Sequence, residues 1–352
     1  MGDAARCETG QLPQAACGPD ALVLRGHSIE ELCRRHSFEE VAYLLWHGEL
    51  PTRDEIFAQN RAERAQRAIE PAIAAAIADQ PFDAHPMDVL RTAVALLGAS
   101  DPAGDGSPAA NRARALRLFA ALPAIIAMDY RRRHGLGAVM PRSHLSYAAN
   151  FLCMTFGKVP EPQIVAAFEA SLILCAGHAA GVSAVTSHAV TTEITDVYSA
   201  VAAAIEVLDS QGPRYGASGA VVETMNEIAI PDNARPWLEE ALANGREIMG
   251  FGSWAGKNGD PRVRRMRAAL GRIAALRSGQ GVLEVHDALA SAVYEAKGLH
   301  PSLEYPVGLA YRLIGFDPPT FGPIFVAACL PAWTACIAGP PAANSRTREV
   351  TE

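Results

Sequence analysis

Apolar residues recur every three to four positions along most of the chain, and stretches that alternate apolar with polar residues are nearly absent. That period belongs to amphipathic helices and not to half-buried strands, so the chain reads as all-α. Its helix starts are marked. Ser28-x-x-Glu31, Ser37-x-x-Glu40 and Thr52-x-x-Glu55 each have the form of a capping box. In that motif the hydroxyl accepts from a free backbone N–H and the glutamate reaches back to the cap. Three such starts between positions 28 and 55 predict short helices joined by tight turns. Asp260-Pro261 marks a further start, with proline at the first helical position, and Arg262 to Arg277 continues as a basic amphipathic helix. Ser100 to Pro108 reads as a surface loop and the tail after Gly339 as extended chain; no internal repeat is visible.

Composition narrows the class. With 352 residues, 49% hydrophobic and 20% charged, the chain is long enough for one large domain or two unequal ones. A formal net charge of −7 lacks the basic excess of a nucleic-acid-binding surface. The seven cysteines are scattered without a C-x-x-C pair, which predicts reduced core thiols and neither a disulfide frame nor a zinc site. No histidine has metal-ligand spacing. The first six residues carry no apolar signal region, and the apolar run Phe325 to Ala338 is too short to span a bilayer and contains Pro331. These features predict a soluble, cytoplasmic protein without membrane, metal or nucleic-acid partners. The arginine run 131–133 and the trio Arg264, Arg265 and Arg267 read as solvated helix surface.

Five segments, in order, carry a resemblance. "LRGHSIEEL" (24–32) with "FEEVAYLLWHGELPT" (38–52), then "HPMDVLRT" (85–92), "YSAVAAAI" (198–205) and "GFG…K..DPR" (250–262) are similar to blocks of the citrate and 2-methylcitrate synthases. The resemblance implies a helical homodimer, with a large domain over 1–215 and 305–352 and a small domain over 216–304. It also implies an acyl-CoA substrate, an oxo-acid acceptor, and no tightly bound cofactor. Such enzymes need a carboxylate base for the weakly acidic acyl proton and donors for the developing enol oxygen and the ketone.

Residue by residue, Tyr215 stands where the family has its enol-stabilising histidine, Ser253 where it has its ketone-polarising histidine, and Glu304 where it has its aspartate base. His178 and Arg262 match the oxo-acid-holding histidine and arginine. A second arginine is replaced by Cys329, and Arg348 stands near the position of a third. On the CoA side, Lys257 matches a basic phosphate contact, and Gly250 and Gly252 would let the backbone approach the adenine. Three readings stay open: a citrate-synthase-like enzyme, condensing, cleaving or hydrolysing, with an altered catalytic set and an unusual substrate; a non-catalytic CoA- or partner-binding homologue; and an ordinary citrate or 2-methylcitrate synthase.

Overall fold

The computed structural model describes residues 15–17, 22–101, 106–179, 196–210, 217–252 and 259–337. Helices dominate these residues, as the apolar period requires. A small antiparallel meander opens the chain: β1 (Ala15–Cys17), β2 (Leu22–Leu24) and β3 (His27–Ser28). Then come α1 (Ile29–Arg35), α2 (Phe38–His47), α3 (Arg53–Ala65), α4 (Pro71–Ala78), α5 (Pro86–Ala99), α6 (Pro108–Arg133), α7 (Tyr147–Phe156), α8 (Pro162–Ala179) and α9 (Val197–Ser210). After them run α10 (Ala217–Ile228), α11 (Ala234–Ala243), β4 (Phe251–Gly252), α12 (Pro261–Leu276), α13 (Gln280–Lys297), β5 (His300–Pro301), α14 (Glu304–Ile314) and α15 (Phe321–Ile337).

The starts follow the cap chemistry, with one exception. Ser37 and Thr52 both form complete capping boxes with Glu40 and Glu55. Asp260 caps α12 by accepting from Arg262 N, with Pro261 in the first turn. Ser28 occupies the cap position of α1, but its side chain makes no cap hydrogen bond, because the residue closes strand β3. Pairing of β3 with β2 has taken over its backbone. The motif alone could not reveal that competition.

The core is built around α15, which packs along α8 and also touches α2, α5, α6 and α9. With the 3-10 turn at Pro318–Thr320, this helix makes a 20-residue apolar stretch, long enough by length and composition to cross a membrane. The turn lengthens the run seen in the sequence. Burial explains its composition instead, since 78% of its most apolar window lies inside the fold. Cys33, Cys153, Cys175, Cys329 and Cys336 are free thiols, in line with the scattered spacing.

Two arginine groups differ from the expectation of solvated surface. Arg132 and Arg133 both bond Asp129, Arg133 also binds Asp317 and Thr320, and Arg131 Nη1 donates to Thr155 O at 3.0 Å. On α12, Arg267 pairs with Asp287 and Arg265 donates to Cys33 O at 3.4 Å. Helix packing folded Arg131, Arg132, Arg133 and Arg265 partly inward, where each needed a partner, whereas Arg264 and the Arg267–Asp287 pair stay at the surface as expected.

Candidate active site

The hairpin-like pairing of β4 with β5 aligns Phe251 with Pro301 and Gly252 with His300. It continues through Ser302 N, which donates to Gly250 O at 2.8 Å. Gly250 sits at φ +84°, and a Cβ there would lie 2.6 Å from Val221 Cγ2 and 3.0 Å from Tyr305 Cδ2. Only glycine satisfies both the left-handed backbone and that close approach. The turn thereby fixes where α14 begins, and Glu304 is its first residue.

Helix α14 lies against α10, α12 and α8. Gly308 lets α10 come close, since a Cβ at that position would meet Ser218 O at 2.4 Å. Ser218 Oγ donates back to Glu304 O at 3.2 Å. Between these helices and α15 lies a small cavity of about 20 Å³, lined by Cys175, Ser218, Leu303, Glu304, Val307, Tyr311, Phe321 and Phe325. Tyr311 turns its hydroxyl away to Ser171 Oγ at 3.1 Å, so the wall it presents is ring surface. Apart from Glu304 and Ser218 the lining is carbon and thiol. Burial, with the nearby Glu304 carboxylate, pushes the Cys175 thiol up to about 12 and keeps it protonated.

Arg262 reaches the same neighbourhood from the first turn of α12. Its guanidinium is 1% exposed and closes on Asp260: Nε lies 3.1 and 3.0 Å from the two carboxylate oxygens and Nη2 lies 2.6 Å from Oδ2. The cap of α12 is therefore also the counter-ion of its first arginine. Cys329 is fully buried and donates through sulfur to Cys175 O at 3.7 Å. Burial raises its thiol well above the usual range, and the Arg262 charge opposes that shift.

Of the residues singled out in the sequence, Glu304 lines the cavity beside Cys175, and the charges of Glu304 and Arg262 act on the Cys175 thiol in opposite directions. Gly250 and Gly252 lie on the turn and strand that precede them. His178 belongs to the last turn of α8. Tyr215, Ser253, Lys257 and Arg348 lie outside the described residues. Sequence reading missed Cys175, Ser218, Val307, Tyr311 and Phe325. Helical spacing could have suggested three of them, since Val307 and Tyr311 follow Glu304 by three and seven, and Cys175 precedes His178 by three. Ser218 and Phe325 carry no such local signal. Among the described residues, no group of three or more His, Cys, Asp or Glu side chains could hold a metal ion.

Comparison with known proteins gives the geometry its context. The family model "Citrate synthase, C-terminal domain" matches residues 5–346. A 2-methylcitrate synthase of Mycobacterium tuberculosis (strain Erdman) is 45% identical over 332 residues, covering 94% of this chain and 84% of that protein. A citrate synthase of Mycolicibacterium smegmatis is 44% identical over 335 residues, with 95% and 88% covered. The crystal structure of citrate synthase from Pyrobaculum aerophilum superposes with a TM-score of 0.83 at 30% identity, covering 96% of this chain and 93% of that one.

Proposed function

The chain belongs to the citrate synthase family, and on that premise we propose that it joins the α-carbon of an acyl-CoA to the carbonyl of an oxo-acid, as in citrate or 2-methylcitrate synthesis. The supporting observation is Glu304 at the head of α14, lining a cavity that is carbon and thiol apart from Ser218 and whose Cys175 thiol also feels the buried Arg262 charge. In this reading Glu304 takes the proton from the acyl α-carbon, and Tyr215 donates to the thioester oxygen as it becomes an enol. Ser253 donates to the acceptor carbonyl, and His178, Arg262 and Arg348 hold the acceptor's carboxylates. Gly250, Gly252 and Lys257 serve the CoA. The new bond forms between the enol carbon and the carbonyl carbon, and water then cleaves the thioester to release CoA. CoA enters and leaves as substrate and product, with no tightly bound cofactor. The unit is a cytoplasmic homodimer in which a small domain, 216–304, closes on the rest.

A second acceptor is favoured by one feature. Arg262 already faces Asp260 at both carboxylate oxygens, and a thiol, Cys329, stands at a position where the family has an arginine. An acceptor with fewer carboxylates than oxaloacetate suits that arrangement, because a carboxylate clamp needs guanidiniums free to fork onto it.

Thiol release from acetyl-CoA and propionyl-CoA, with oxaloacetate or a monocarboxylic oxo-acid, tests the proposal alongside deuterium exchange at the acyl α-carbon. Release should require both substrates. Tyr215→Phe should slow exchange by about 10²-fold, the usual cost of one lost oxyanion donor, and Glu304→Gln at least as much. Absence of both release and exchange with every acyl-CoA would overturn catalysis and leave a CoA-binding homologue.

A further inference from the structure

A groove that shares no residue with the Glu304 cavity has the make-up of a ligand site. It measures about 430 Å³ and is lined by Phe57, Asn60, Arg61, Arg64 and Ala65 of α3, together with Ser143 from the segment before α7. That volume falls in the range of small-molecule pockets. Four features of the lining point to a ligand. The Phe57 ring is 71% exposed although it is a large apolar group on a regular helix. Arg61 and Arg64 contribute two positive charges and no lining residue is acidic. The neighbouring acid, Glu63, turns to the opposite face and binds Arg67 Nε at 2.8 Å. Finally, Asn60 Oδ1 and Arg64 Nε are both shut off from solvent without a hydrogen-bond partner in the chain.

The order of these groups along α3 sets the shape of what they can hold. At 1.5 Å per residue, Phe57 precedes Asn60 by about 4.5 Å, Arg61 by about 6 Å and Arg64 by about 10.5 Å. A flat ring stacked on Phe57 would have its edge at the Asn60 amide, and an anion some 6–10 Å away would meet the two guanidiniums. Inorganic phosphate or a small carboxylate reaches the arginines without touching the ring. A nucleoside phosphate has both ends, a flat base with exocyclic donors and a charged arm of that length. Base stacking on an aromatic side chain and phosphate binding by paired arginines are each favourable on their own.

We propose that this groove, formed by the 57–65 face of α3 and Ser143, binds a nucleoside phosphate. The site is independent of the acyl-CoA reading, since none of its residues belongs to the Glu304 cavity.

Photolabelling the full chain with 8-azido-ADP, followed by mass-spectrometric mapping, locates the ligand. Titration calorimetry with ADP, adenosine and inorganic phosphate weighs its parts. The label should fall on peptides containing residues 53–65 or Ser143, and unlabelled ADP should block it. Phe57→Ala should weaken ADP by about tenfold or more. Arg61→Gln with Arg64→Gln should remove binding, while adenosine and phosphate alone should each bind at least tenfold more weakly than ADP. These positions are at the surface, so the variants should keep the wild-type melting temperature and the wild-type KM for acyl-CoA. Labelling confined to the Gly250–Lys257 segment, or ADP affinity untouched by the three substitutions, overturns the proposal. Phosphate binding as tight as ADP overturns the nucleoside part and leaves an anion site.

Discussion

Arg262 and Arg64 occupy the first turn of one helix and the last turn of another, and they have met opposite fates. Arg262 is sealed in the core and closed on the carboxylate that caps its own helix. Arg64 lies along an open groove with Arg61 beside it, and neither has a carboxylate partner in the lining. The difference follows from the medium. Taking a guanidinium out of water costs several kcal/mol, so a buried one persists only with its counter-ion and hydrogen bonds in place. Arg64 is only half-buried, so water reaches part of its guanidinium while Nε stays without a partner, which leaves the charge able to take up a ligand. The buried arginine therefore orders structure first and can hold a substrate only by sharing its fork with Asp260.

Breaking the buried pair should have the largest effect. Arg262→Met leaves Asp260, 3% exposed, without its counter-ion, and should lower the unfolding free energy by about 3–5 kcal/mol in denaturant titration. Adding Asp260→Asn should recover a good part of that loss. Equal stability of the single variant and the wild type would mean that the pair is not what holds the start of α12.

Glu169 sharpens the contrast from the other sign, as a half-buried carboxyl that forms no ion pair among the described residues. Burial, and then the Glu39 charge, push it up to about 7, against the weaker pull of the Phe38 N–H. A raised carboxyl favours the fold while protonated. Its contribution is complete below about pH 4.5, fades as pH rises through about 7, and is gone above that. Glu169→Gln should remove this slope, so that the variant gains about 1–3 kcal/mol over wild type between pH 5 and pH 8. An unchanged difference across that window would show that the carboxyl titrates normally.

The smallest effects separate two serines that look alike in the sequence. Ser37→Ala removes a complete capping box and should cost about 1 kcal/mol. Ser28→Ala removes a hydroxyl that makes no cap hydrogen bond and should stay within about 0.5 kcal/mol. Thermal melts of the two variants side by side would reverse the assignment if Ser28 proved the costlier.

These serines also show how far the local code reached. Ser37-x-x-Glu40, Thr52-x-x-Glu55 and Asp260-Pro261 each specify a helix start through contacts within three residues, and each formed as read. Ser28 carries the same motif, but pairing with β2 took its backbone; that pairing depends on Leu24 and Val23 across a turn, which the motif does not display. The candidate site divides in the same way. Glu304, Arg262 and Gly250 were singled out only because each sits in a segment that resembles a family block. The Asp260 counter-ion was visible only as a cap, and the Arg131–Arg133 run only as charge.

By itself the sequence determined the helical class and the helix starts at Ser37, Thr52 and Asp260, because periodicity and capping act over a few residues. Only the tertiary structure decided that Cys175 of α8, Ser218 of α10 and Phe325 of α15 line one cavity with Glu304. It alone decided that Gly250 must be glycine because Val221 and Tyr305 press on it. Those contacts join residues tens of positions apart, and they exist only once the helices have buried their apolar faces against one another.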